Sequence, residues 1–175
     1  KVIPGVAESW SLSDDGTVYT FKLRDNANWS DGQPVTADDF VFAFKRMEDP
    51  KEAAEYANIL YPIKNAEAIN GGKADLATLG VKAVAPKTLE ITLERPTPYF
   101  IELLAHHAAL PAPKWAIEKF GGDWIKPGNI VCNGAYCLTE NVPNDHITSV
   151  KNPKYWDAAN VKIDKVIYNP SEDQA

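Results

Sequence analysis

Side chains able to act as nucleophile, base or metal ligand are sparse in this sequence, and most fall where local structure also wants them. Two histidines stand together at His106-His107, straight after the apolar run Tyr99 to Ala105 (YFIELLA), and form the best imidazole site in the chain. Such a pair can move protons. At a helix end it also complements the negative pole of the helix dipole or faces solvent, and that structural reading is the one adopted. Asp14-Asp15 and Asp38-Asp39 resemble paired carboxylates, but each sits where a turn or a helix N-terminus favours an acid. The serines Ser9, Ser11, Ser13, Ser30, Ser149 and Ser171 include none in a G-x-S-x-G elbow. Gly71-Gly72 and Gly121-Gly122 lack the spacing that cradles phosphate and read as helix stops.

Cys132 and Cys137 flank Asn133-Gly134 in VCNGAYC. In a continuous strand that separation puts the thiols on opposite faces and too far apart to bond. Only a turn at Asn133-Gly134 folds one back on the other, so unbridged thiols are favoured and a bridge is left open. The pair offers too few ligands for a metal, and neither His106 nor His107 stands at finger spacing. No catalytic residue, metal site or cofactor is expected. A hydrolase on an α+β scaffold is the weaker alternative.

The elements that must position these residues follow from periodicity. Val18 to Leu23 (VYTFKL) alternates, with Tyr19, Phe21 and Leu23 on one face, and reads as a half-buried strand. Thr36 caps a helix with Asp39 reaching back to it, and Phe40, Val41, Phe44 and Met47 fall at helical spacing until Asp49-Pro50 ends the run. Helices are expected after Lys51 and over Ile63 to Ile69, then a hairpin of Val81 to Val84 with Leu89 to Glu94. Tyr99 to Ala105 and Lys114 to Phe120 read as helices, and Ala135 to Thr139 with His146 to Val150 as a second hairpin turning through Pro143-Asn144-Asp145. Val161 to Tyr168 alternates like a strand, with room for sheet partners outside these residues. Without strict βαβ alternation the expected class is α+β, a mixed or antiparallel sheet with covering helices.

The 175 residues suffice for one domain or one and part of another. A net charge of −6 without any Lys/Arg cluster argues against nucleic acid or an anionic membrane surface as partner. No apolar run approaches the ~20 residues of a membrane span. The opening Lys1-Val2-Ile3-Pro4-Gly5 has no Met and no signal peptide, so a segment of something longer is expected.

Five tryptophans, seven tyrosines and six phenylalanines are ample for a core, and most must be that. Trp29, exposed-looking in NWSDGQPVTADDF, and Tyr56, among small residues in AAEYANIL, are the two that stand out. A tyrosine at a loop-helix junction can turn its polar tip to a cleft; a core position remains the alternative for Tyr56.

GVAESW, YTFKLRDNANWSDGQPVTADDFVFAFKRMEDP, LERPTPYFIELLA, NGAYCL and KNPKYWD occur in that order. Together they resemble the extracytoplasmic solute-binding proteins of family 5, peptide receptors of ABC importers, and most of all the oligopeptide-binding proteins of Gram-negative periplasms. The resemblance implies a parent about three times this length with the two-lobe fold of periplasmic binding proteins of type II, plus an extra α+β domain. It implies that residues 5–132 are that extra domain and that 133–175 begin an incomplete return into the first lobe. It further implies a monomeric, non-enzymatic periplasmic protein that delivers oligopeptides to ABC permease subunits, without nucleic acid. Dipeptides, murein peptides, nickel chelates or haem are the alternative solutes. At residue level it implies one ligand contact, Tyr56. Cys132 and Cys137 depart from the family pattern.

Overall fold

The computed structural model describes residues 2–170. They form two compact units: one runs to Asp25 and resumes over Thr36–Ala112, the other takes Asn26–Val35 and the chain from Pro113. These units do not divide the chain at residue 132.

In the first unit four antiparallel strands, β1 (Ala7–Leu12), β2 (Val18–Leu23), β3 (Val81–Ala85) and β4 (Thr88–Thr92), lie in the order β1-β2-β4-β3. The alternation of VYTFKL does what its period requires: Tyr19, Phe21 and Leu23 are buried, and Tyr19 and Phe21 stand opposite Ile91 and Leu89. Helix α1 (Ala37–Glu48) starts at the expected capping box, the Asp39 carboxylate accepting the Thr36 N–H at 2.8 Å, and ends at Asp49 before Pro50. Phe44 is fully buried in the cluster that also holds Leu89, Ile91 and Leu93, while Phe40, Val41 and Met47 pack against its rim. Burying one such side chain stabilises by roughly 1.5–3 kcal/mol. Two short helices, α2 (Ala66–Asn70) and α3 (Phe100–Leu103), add Ala66, Ile69 and Phe100 to the same core. The buried Phe100 ring lies 5.4 Å from that of Tyr19.

Two expectations need correction here. The chain after Lys51 is turn, not helix, followed only by a 3-10 turn over Ala57–Leu60. Ala53 sits at φ 49°, a left-handed conformation that interrupts helical backbone. Strand β1 has no counterpart in the sequence reading, because AESWSL alternates too weakly between polar and apolar.

The second unit answers what NWSDGQP is for. Residues 26–35 make a small antiparallel loop in which the Trp29 N–H donates to the Gln33 carbonyl at 2.8 Å and the Val35 N–H to that of Ala27 at 2.9 Å. Gly32 supplies the left-handed turn position at φ 92°. Trp29 is not exposed: it is 2% accessible, and its ring meets Trp115 of helix α4 (Lys114–Phe120) edge-on at 5.6 Å. The Trp115 Nε1–H donates to Asp31 at 2.9 Å. The motif therefore buries a tryptophan beneath its own turn.

A second antiparallel sheet, β5 (Tyr136–Val142), β6 (His146–Lys151) and β7 (Lys165–Tyr168), runs in chain order. The β5–β6 turn uses Asn144 at φ 63°. Strand β7 finds its partner within the chain, pairing with β6. Buried Asn152 ties two of the quoted motifs together. Its N–H donates to Ala135 and its Nδ2 to Gly134, while its Oδ1 accepts the Lys154 N–H.

The cysteines are also corrected. Cys132 precedes the sheet, a bend at Gly134-Ala135 reverses the chain, and the two sulfurs are bonded with Cα atoms 5.8 Å apart. That separation lies inside the disulfide range.

Candidate ligand-contact site

Most of the chemically capable residues are spent on local structure. Asp15 accepts from the Ser13 hydroxyl at 2.6 Å and from the Thr17 N–H at 3.1 Å, which holds its carboxyl below the usual range; it is a turn acid. Asp39 caps α1. Ser30 bonds to Cys132, and Ser171 lies outside the described residues. Among the described residues no three His, Cys, Asp or Glu side chains gather as metal ligands.

One titratable cluster escaped the sequence reading. His146 lies between Asp145, 3.0 Å from Nδ1, and Glu140, 3.5 Å from Nε2. The Asp145 hydrogen bond is the main cause that raises its pKa. The imidazole is half-buried, and among the described residues no hydroxyl or thiol is bonded to it, so it is an ion cluster at a hairpin turn. Strand register across β5 and β6 creates it, and sequence spacing alone does not reveal it.

Tyr56 and the histidine pair, weighed separately in the sequence, are one site. Tyr56 stands at the N-terminus of the 3-10 turn Ala57–Leu60 and is 44% exposed among the described residues. Its ring lies 5.2 Å from that of His106 and 5.1 Å from that of His107, and the two imidazoles are 4.1 Å apart. Nor are the histidines at the end of a long helix. Helix α3 stops at Leu103, and His106 instead opens a second 3-10 turn, His107–Ala109, its Nδ1 accepting the Ala108 N–H at 3.2 Å. That bond fixes the ring and leaves Nε2 to carry the proton. Ala57, Ala108 and Ala109 are buried behind the rings, small enough for the two turns to approach closely. The result is a partly exposed aromatic surface with polar tips, of a kind that can contact a ligand.

The fold is an antiparallel α+β architecture, and the chain belongs to the bacterial extracellular solute-binding proteins, family 5, whose family model matches residues 1–175. The periplasmic oligopeptide-binding protein OppA of Salmonella typhimurium is 50% identical over 169 residues, 95% of this chain and 31% of that protein. The probable deoxycholate-binding periplasmic protein YgiS of Escherichia coli is 48% identical over 170 residues, 96% of this chain and 32% of that one. The solved OppA of Burkholderia pseudomallei superposes with a TM-score of 0.95 at 46% identity, over 98% of this chain and 34% of that chain. The α+β expectation holds, and the chain spans about a third of the length of the relatives it matches.

Proposed function

We propose that this chain is part of a periplasmic solute-binding protein that captures oligopeptides and delivers them to the permease subunits of an ABC importer, acting as a monomer by binding and not by catalysis. The observation that carries the reading is the exposed Tyr56, held on a rigid base in a chain whose relatives include an oligopeptide-binding protein at 50% identity. In such a receptor the peptide backbone is bonded as an added strand while side chains enter hydrated pockets. Tyr56 contributes one wall.

For the parent's organisation we keep residues 5–132 as the extra α+β domain and 133–175 as the beginning of the return into the first lobe. The compact grouping of residues from Pro113 with those after 132 supports an earlier boundary, near Ala112. Limited proteolysis of the longer protein distinguishes the two.

A second reading keeps the family and changes the solute, because a relative nearly as similar is described as probably deoxycholate-binding. Calorimetric titration of the full-length protein with tri- to pentapeptides, and separately with deoxycholate, decides. Micromolar or tighter peptide binding, about −8 kcal/mol, is expected. A response to deoxycholate alone moves the function to the second reading.

A further inference from the structure

Three rings from two stretches far apart in sequence share one partly exposed cluster, and their arrangement has a chemistry of its own. The two histidine planes are inclined by 33°, His106 meets Tyr56 at 53°, and His107 meets it nearly perpendicular at 80°. An aromatic group prefers offset-stacked or edge-to-face neighbours. A surface offering ring faces at several inclinations can give an incoming aromatic ring both at once.

The rings are also held in advance of any ligand. The Tyr56 carbonyl accepts the Ile59 N–H at 3.1 Å, and the His106 carbonyl accepts the Ala109 N–H at 3.0 Å, so both turns are closed under the cluster. The Nδ1 bond to Ala108 locks the His106 ring. Leu110, 59% exposed and bonded through its N–H to the His107 carbonyl at 3.1 Å, extends the apolar surface. A neutral aromatic side chain gains ring contacts there without needing a charged partner.

We propose that Tyr56, His106 and His107 form a subsite for an aromatic side chain of the bound peptide. The assignment rests on the peptide-binding reading and adds to it a side-chain preference and two residues, His106 and His107. Edge and face contacts between rings are worth more than buried area alone, so an aromatic ring should be preferred over a saturated ring of the same shape.

The test uses the full-length protein and matched tetrapeptides that differ at one position, carrying phenylalanine, cyclohexylalanine, lysine or glutamate, scanned through each position in turn. At one position phenylalanine should bind about 3- to 10-fold tighter than cyclohexylalanine. His107→Leu and Tyr56→Leu, which keep apolar bulk and remove ring character, should each shrink that ratio; the ratio within each variant, not its absolute affinity, is the readout. His106 is left intact in these variants because its Nδ1 supports the turn. Equal binding of phenylalanine and cyclohexylalanine at every position, or a ratio unmoved by both variants, overturns the aromatic subsite and leaves peptide binding standing. So does a lysine or glutamate preference at the position the variants affect. Failure to bind any peptide overturns the peptide reading itself and this assignment with it.

Discussion

Ser30 and Cys132 hold each other twice: the Ser30 N–H donates to the Cys132 carbonyl at 2.7 Å, and the Ser30 Oγ accepts the Cys132 N–H at 3.2 Å. The disulfide to Cys137 then ties the same point to the start of β5, so the NWSDGQP loop is anchored to the sheet through one residue. Denatured without reductant, the protein should show no reactive thiol and a mass lower by two hydrogens than the reduced chain. The closed loop is short, so Cys132→Ser with Cys137→Ser should cost only about 2 kcal/mol in urea unfolding. Two titratable thiols in the unreduced chain would show that the bridge does not form.

Gly80 is needed for closeness, not for an unusual backbone angle. It exchanges hydrogen bonds with two other segments, its N–H donating to Lys64 at 2.9 Å and its carbonyl accepting from Thr92 at 2.7 Å. A Cβ there would lie 2.6 Å from the Thr92 carbonyl oxygen and 2.7 Å from the Lys64 Cβ. Gly80→Ala should therefore destabilise by about 1–3 kcal/mol, read as a lower denaturation midpoint. Gly122→Ala, where a Cβ meets nothing within 4 Å, is the control and should change little.

Glu48 ends α1 fully buried, and neither carboxylate oxygen has a hydrogen-bond partner. Burial disfavours the charged form and pushes its pKa up to about 8. The folded protein thus keeps a proton that the unfolded chain releases near the ordinary value of 4.5. Stability should be fullest below that value and fall as pH rises through about 8, by about 3 kcal/mol between roughly pH 5 and pH 8. Glu48→Gln should remove the dependence, and Glu48→Met should raise stability at neutral pH. Urea titrations across this range check it; a flat wild-type profile would show that Glu48 finds a partner.

Where hydrophobic period was strong, the elements were legible: VYTFKL became β2, ADDFVFAFKRME became α1, and the hairpin around Pro86-Lys87 formed in the expected orientation. Local turn chemistry was legible too, down to Asp39 capping its own helix. What failed was inference about burial and long-range pairing. Trp29 looked exposed because its neighbours are polar, yet those neighbours form a turn above it and Trp115, 86 positions later, covers its side. The contact of Tyr56 with His106 and His107 was invisible for the same reason, since two 3-10 turns create it and neither has a periodicity to read. Motif resemblance singles out Tyr56 and says nothing of the two histidine rings beside it.

Tyr56 also gives the most direct measure of how much of the proposed function resides in this chain. A peptide bonded as an added strand draws affinity from main-chain bonds and pockets distributed over a whole receptor, and this chain spans about a third of the length of the relatives it matches. Association also carries a fixed entropic cost that a partial surface does not offset. The isolated chain should therefore show no peptide affinity tighter than about millimolar, roughly −4 kcal/mol, whereas the full-length protein binds in the micromolar range or better. In the full-length protein Tyr56→Ala should weaken binding by about 1 kcal/mol, near fivefold, because the ring is exposed and one contact among many. Its stability should change less than for a core tyrosine such as Tyr19, which is 5% exposed. Parallel calorimetry and urea unfolding separate the two effects. Tight binding by the isolated chain would place the whole site within these residues, and an unchanged affinity of Tyr56→Ala would remove Tyr56 from the peptide's path.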